Sequence, residues 1–395
     1  MTINDVEIRQ AENNEVTVGT VSEYDIKIYE CSRDCDIDGE TRKINSAWIG
    51  GNITIDVNGN TIKHSFRYLD TIRHKKNGDE NKIFKGILTA LGYNVEFNEQ
   101  TKKLDYTKVG EGLIPKIEGT ITFLDINKNT TNTETIKNTG VPTRVKISSK
   151  LSLAEGLNKD RSDLAFYNEL PISYISTTSV SDEDSAMFTV EGVIKDIVDE
   201  FDNNGGTTGR YLVDLVTPNY FGVDVFSFVM LDKWVNIIDG EEIELSKEMF
   251  YSPNNSDSFC QIGDTVKISG DIEAHSFGSV ATASTAKKTF GGGAQNVRSG
   301  FTKMEWTIKA GDIVEDSEQY DNDLIAKALE EREVILDNNY KKRLEDYNNA
   351  TANKGSNATS KPSIKGSANN ASNSPFGNAP KTSNPFGGVK KSPFA

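Results

Sequence analysis

The stretch Ile262-Gly263-Asp264-Thr265-Val266-Lys267-Ile268-Ser269-Gly270-Asp271-Ile272 decides how this sequence folds. A Gly-Asp pair leads into an alternating apolar run, and a glycine inside that run marks a strand that bends. Working outward, Met187–Glu200 alternates as a strand does. Asn203-Asn204-Gly205-Gly206 turns the chain, and Tyr211–Val216 and Val223–Met230 follow as further strands. Upstream, Ile53–Val57 and Thr61–Phe66 flank Asn58-Gly59, the strongest short-range hairpin signal. Lys116–Ile126, Arg144–Leu153 and Lys303–Ile308 add more strands. Short strands parted by turn residues predict a mainly β fold of barrels or sandwiches.

The pattern occurs twice. Thr17-Val18-Gly19-Thr20-Val21 matches Thr189-Val190-Glu191-Gly192-Val193, Ser65-Phe66-x-x-Leu69-Asp70 matches Ser227-Phe228-x-x-Leu231-Asp232, and Val145–Ser148 matches Val266–Ser269. The shared order predicts two copies of one module, 1–175 with an insertion at about 71–140, and 176–320. A helix is expected over about 321–350, with Leu324, Ala328, Ile335, Leu336, Tyr340, Leu344 and Tyr347 near helical spacing and Asp321 or Asp323 as cap. Its stripe packs on the body or mediates self-association, so a homo-oligomer stays open.

A long first strand, a hairpin, a variable connection and then the Gly-Asp strand resemble an OB-fold over about 188–310. The resemblance implies two OB-like β-barrel modules. OB-folds most often bind single-stranded nucleic acid or oligosaccharide on strands 2–3 and the adjoining loops.

Composition narrows the class. A chain of 395 residues exceeds one ordinary core. No run approaches the ~20 apolar residues of a membrane helix, and the N-terminus lacks a signal peptide's basic and apolar stretches. A cytoplasmic location is therefore expected, in host cytoplasm if the protein is viral. Cys31, Cys35 and Cys260 are too few for a disulfide framework, which fits a reducing compartment. Cys31 and Cys35, with His64 and His74 further on, lack the shaped four-ligand pattern of a zinc site, so no metal is expected. His64, His74 and His275 sit in no nucleophile, zincin or phosphate-loop pattern, so neither enzyme nor cofactor is expected. Net charge is −15, but it is uneven. Six of the 44 basic residues and none of the 59 acids follow Thr351, which leaves the body at −21 and the tail at +6. Such a body does not coat duplex DNA by bulk attraction, although local basic surfaces remain effective.

Those local surfaces are the candidate sites. Between His275 and Glu305 there is no acid, and Lys287, Lys288, Phe290, Arg298, Phe301 and Lys303 interleave with glycines. This is the composition of a flexible clamp on a sugar–phosphate backbone, at the loop between the last two OB strands. Arg210 joins the nucleic-acid-binding set. On Val223–Met230, Asp224 shares a face with Phe226 and Phe228. Placing the acid outside exposes both rings for base stacking, and packing in the core is the other reading. In the first copy Arg67, Arg73, Lys75 and Lys76 form a basic region near Phe66 and Tyr68, with either face of that strand outward.

The segment 351–395 is rich in Asn, Ser, Gly, Lys, Ala and Pro and is expected to be disordered. Ser or Asn precedes each of three Pro-Phe pairs, which makes Phe376, Phe386 and Phe394 candidate partner-docking residues. Two OB-like modules, a helix and a Pro-Phe tail resemble single-stranded DNA-binding proteins, particularly the larger kind encoded by bacterial viruses (bacteriophages). That resemblance implies coating of single strands in replication or recombination, and tail-borne recruitment of partners. Bacterial members end in an acidic tip finishing in Pro-Phe. Here Lys390-Lys391 precede Pro393-Phe394 instead. The rival readings are a structural or assembly protein, such as a virion component with β-barrels, and a carbohydrate-binding OB module.

Overall fold

The computed structural model describes residues 2–356 except 4–5, 71, 73–77, 91–92, 101–102, 109–118, 126, 137–143, 180, 203–204, 239, 253–257 and 281–297. It is mainly β with a C-terminal helix. After a short hairpin of β1 (Thr2–Ile3) and β2 (Val6–Glu7) come β3 (Asn13–Ile37), β4 (Glu40–Val57) and β5 (Asn60–Asp70). Next are α1 (Lys82–Ala90), β6 (Tyr93–Asn98), β7 (Lys103–Lys108), β8 (Gly119–Leu124) and β9 (Thr130–Ile136). The first half ends with β10 (Arg144–Ser149), β11 (Ser152–Leu157), β12 (Leu164–Glu169) and β13 (Ile172–Thr177). The second half runs β14 (Ser185–Phe201), β15 (Thr207–Pro218), β16 (Val223–Met230), β17 (Lys233–Ile238), β18 (Glu241–Ser246), α2 (Lys247–Phe250), β19 (Thr265–Val280) and β20 (Arg298–Ile313). The last element is α3 (Asn322–Ser356).

Pairing closes a barrel in each half. In the second, β14 pairs β15 and β19, β15 pairs β16, β19 pairs β20, and β16 meets β20 in parallel at Val229↔Thr307. In the first, β3 pairs β4 and β10, β4 pairs β5, β10 pairs β13, and the Ser65↔Pro171 parallel bridge closes the ring. This one-two-three-five-four order is that of the OB barrel. The Asn58-Gly59 hairpin forms with both residues at positive φ, 53° and 83°, as a primed two-residue turn requires.

Register fixes how the copies correspond. Val145 opposes Gly19, and Val266 opposes Gly192. A Cβ on either glycine would collide with a backbone carbonyl, of Asp56 or of Val216. Gly19 therefore corresponds to Gly192, one residue from the sequence match. The parallel closures equate Ser65 with Val229, two residues from theirs, and the third match holds. Small residues recur in strands at loose spacing, whereas hydrogen-bond ladders admit one register. β3 and β14 also pair antiparallel, Ser185↔Val18 to Val190↔Asn13, so the two barrels share one sheet. Glu15 and Phe188 correspond and face each other, and an approximate two-fold passes through that pair.

The core unites Ile26, Ile28, Ile49, Ile53 and Ile55 of the first barrel with Phe188, Phe226, Phe228 and Trp306 of the second. The chain divides into two compact units, Met1–Ala154 with Tyr167–Tyr320, and Glu155–Phe166 with Asp321 onward. Both barrels belong to the first. Within the second, Asp321 Oδ1 caps α3 by accepting from the backbone of Asp323 at 2.8 Å and Leu324 at 3.2 Å. Tyr340 Oη donates to Arg161 O at 3.0 Å, and the Arg161 guanidinium lies 4.2 Å from the centre of the Tyr347 ring. Residues 357–395, with Phe376, Phe386 and Phe394, lie outside the described residues. Among the described residues no helix is long and apolar enough to cross a membrane.

Candidate nucleic-acid interface

Alternation sorts each barrel strand into an inward and an outward row. In β3, Tyr24, Ile26 and Ile28 are buried, so Glu23, Asp25, Lys27 and Tyr29 face out. Register carries that row across the sheet. Glu23 opposes Thr54, which opposes Lys63. Asp25 opposes Asn52, which opposes Ser65. Lys27 opposes Gly50, and Tyr29 opposes Trp48. On the other flank β8 sets Thr120 and Thr122 beside Asp25 and Lys27, with Thr120 Oγ1 donating to Asp25 Oδ1 at 3.1 Å. Lys27 and Lys63 are exposed, Tyr29 and Trp48 partly so. Two cations, two carboxylates, two rings and small hydroxyl and amide groups thus share one face, and its rings suit stacking of bases. Sequence reasoning missed Lys27, Tyr29 and Trp48. The alternation of Asp25, Lys27 and Tyr29 with Ile26 and Ile28 was the available signal.

The corresponding face of the second barrel differs. Asp196 opposes Asp214, which opposes Ser227. The Ser227 hydroxyl donates to Asp214. Burial pushes the Asp214 carboxyl above its ordinary range, and Asp196 pushes the same way, against Ser227 and Lys195. Val198 and Leu212 form the next row.

Phe226 and Phe228 do not lie on this face. Both are 0% exposed, with ring centres 5.5 and 5.7 Å from Trp306. The expected exposure rested on Asp224, which sits near the strand's end, where Asn219 Nδ2 donates to it at 2.8 Å. An acid at a barrel rim meets polar partners without turning its strand inside out. In the first copy His64 and Phe66 are likewise buried and Lys63 exposed.

Arg210 is committed elsewhere. Its guanidinium bonds Glu200 through Nε at 2.6 Å and Nη2 at 2.8 Å, and Glu305 through Nη1 at 3.2 Å. Lys303 is exposed and bonds Glu305 at 3.0 Å. Burial alone would raise the Glu305 carboxyl, but Lys303, Arg210 and His275 together hold it below the usual range. Arg67 lies on β5, and Arg298 and Phe301 on β20. Arg73, Lys75, Lys76, Lys287, Lys288 and Phe290 lie outside the described residues.

The stretch flanking those lysines is not all loop. β19 and β20 continue as a paired arm to Val280↔Arg298. Among the described residues two hydrogen bonds join β19 and β20 to the first half. Ala274 N donates to Asn60 Oδ1 at 3.0 Å, and Asn168 Nδ2 donates to Met304 O at 3.0 Å. Two exposed rings also escaped sequence reasoning. Tyr220 and Phe221, 72% and 88% exposed, sit edge-to-face at the β15–β16 turn. Among the described residues no group of His, Cys, Asp and Glu is placed to hold a metal.

The YorF family model matches residues 125–349, more than half of the chain. The protein belongs to the YorF family. Comparison of this family member with curated proteins finds no match. Among solved structures, the wild-type single-stranded DNA binding protein from Thermus aquaticus is similar at a TM-score of 0.32 and 8% identity, over 78% of this chain and 95% of that one. A deletion mutant of that protein is similar at a TM-score of 0.32 and 7% identity, over 78% and 97%. The barrel assignment of this YorF-family chain rests on its own strand pairings.

Proposed function

We propose that this protein binds single-stranded DNA, coats and protects it during replication or recombination, and recruits partner proteins through its Pro-Phe tail. The observation that carries the reading is the outward row of the first barrel, where Tyr29 opposes Trp48 next to Lys27, on a face that also holds Glu23, Asp25 and hydroxyl and amide groups. A splayed strand offers each base's flat face to a ring, and stacking contributes about 1–3 kcal/mol per base. A duplex hides those faces and offers only phosphate, which a body at −21 repels. Within that acidic body the acid-free run 276–304, with Lys287, Lys288, Arg298 and Lys303, offers contacts to phosphate.

The test is a competition titration of fluorescent oligothymidylate against duplex of the same length, at two salt concentrations. Preference for the single strand, weakened by salt, is expected. Equal affinity for both refutes the reading. For the tail, exchange of Phe376, Phe386 and Phe394 together for alanine should release the proteins that co-purify with the strand-bound chain, with strand affinity unchanged.

A further inference from the structure

We infer that the free face of the β17–β18 hairpin is a docking site for a basic amphipathic helix of a partner protein, separate from the strand-binding face proposed above. Alternation gives this two-stranded ribbon two faces. Trp234, Asn236 and Leu245 share one of them and are half-buried. Trp234 Nε1 and Asn236 Nδ2 donate to Lys309 O at 2.9 and 3.5 Å, which seats that face on β20. Just after the hairpin, Lys247 N donates to Asp232 O at 3.1 Å, and the buried Lys247 places its ammonium 4.2 Å from the centre of the Tyr211 ring. The ribbon is therefore held at its root and along one face, and its other face is offered to solvent in a fixed orientation.

That free face carries two unlike rows. Val235 and Ile237, 60% and 70% exposed, form an apolar row on β17. Glu244 and Glu242 oppose them on β18 and form an acidic row. A lone exposed apolar side chain is ordinary. Two β-branched side chains in succession on one face, backed by paired carboxylates, are a patch of defined chemistry. Lys233 Nζ bonds Glu244 at 2.9 Å, and the stretch 232–246 sets five acids against that one lysine. Charge selects the occupant. A second copy of this face would lay glutamates on glutamates or on the apolar row, and an anionic membrane would meet the same repulsion. A helix with apolar side chains at i and i+4, ~6 Å apart, spans Val235 and Ile237, which lie ~7 Å apart along the strand. Lysines on the flank of that helix then meet the glutamate row, ~5 Å to the side.

The experiment titrates the full chain into a fluorescent, amidated peptide of about 18 residues, long enough for a helix, with leucine at helical spacing and lysine elsewhere. A control peptide holds the same residues in an order that breaks the spacing. Saturable binding of the first, about tenfold tighter than of the second, is expected. Val235→Ser with Ile237→Ser should weaken it about tenfold, and Glu242→Lys with Glu244→Lys at least as much, with melting temperatures unchanged. Glu330→Lys with Glu331→Lys, an equal reversal of charge at exposed positions of α3, should leave it as it was. Equal binding of the two peptides, or an equal loss in the α3 variant, reduces the attraction to bulk charge and overturns the inference. An unaffected Val235→Ser, Ile237→Ser variant overturns it too. Sedimentation tests the rival occupant: self-association of the unaltered chain that this variant abolishes would give the face to a second copy. Oligothymidylate affinity of the same variant should equal that of the unaltered chain, and its loss would show that the two sites are not separate.

Discussion

The Glu15 carboxylate lies 3.4 Å from Nε2 of His64, with the two side chains sealed inside the first barrel at 1% and 0% exposure. By register, the second barrel holds Phe188 and Phe228 at these positions, with ring centres 5.1 Å apart. One barrel thus closes its core with a polar pair where its copy uses two rings. The Thr17 hydroxyl also donates to Glu15. Removing one partner of a buried pair strands the other, at a cost of about 3–5 kcal/mol, whereas replacing both by apolar groups is often neutral. His64→Leu alone should therefore lose about 3 kcal/mol or more, and Glu15→Leu with His64→Leu clearly less than the sum of the singles. Urea unfolding of the three variants gives the coupling. Simple additivity would mean that the pair contributes nothing as a pair.

Much of this architecture was legible in the sequence. Asn58-Gly59 announced its hairpin because only a primed turn uses two residues at positive φ. The Gly-Asp strand announced the barrel. What escaped was the inside and outside of β5 and β16. Short strands of a closed barrel carry few residues per face, and a single acid such as Asp224 biased the reading against two phenylalanines. The charge census could not distinguish free cations from spent ones either. Arg210 counts as basic in a sequence and as neutralised in the fold, because Glu200 and Glu305 arrive from other strands.

That network makes Arg210 a stabilising residue. Arg210→Ala should cost about 2 kcal/mol, the scale of hydrogen bonds to a charged group, discounted for partial exposure. Glu305 is held below the usual glutamate range, so its contribution is fully present above that range and is lost as pH falls through the depressed value. The deficit of the variant should accordingly be largest at neutral pH and shrink in acid, as read by thermal melts across pH. A deficit independent of pH would place the loss in packing.

Gly51 sits at φ 114°, and a Cβ there would collide with the Asp25 carbonyl. Gly51→Ala should therefore force β4 away from β3 beside the Lys27↔Gly50 pair. Both a lower melting temperature and weaker strand binding are expected. A variant that melts earlier yet binds as well would separate the ladder from the site.

The salt dependence of binding tests Lys287 and Lys288 directly. Each phosphate contact with a single strand adds about 0.7 to the slope of log affinity on log salt. Lys287→Ala with Lys288→Ala should flatten that slope by about 1.4 if both lysines touch phosphate. An unchanged slope would remove them from the interface.

Asp214 offers the sharpest test of the second barrel's face. It is half-buried, directly opposite Asp196, and its carboxyl is raised above the ordinary range by burial first. A raised carboxyl binds its proton more tightly folded than unfolded, so the protein loses stability as pH rises from the ordinary aspartate range through the raised value. Asp214→Asn keeps an oxygen for the Ser227 hydroxyl and deletes the charge that faces Asp196. The variant should gain up to about 1 kcal/mol at pH 7, the scale of a like-charge pair across a sheet. That gain should vanish in acid, where Asp214 of the unaltered chain is itself protonated. A variant less stable at neutral pH would show instead that the carboxylate is held by an attraction stronger than its repulsion from Asp196.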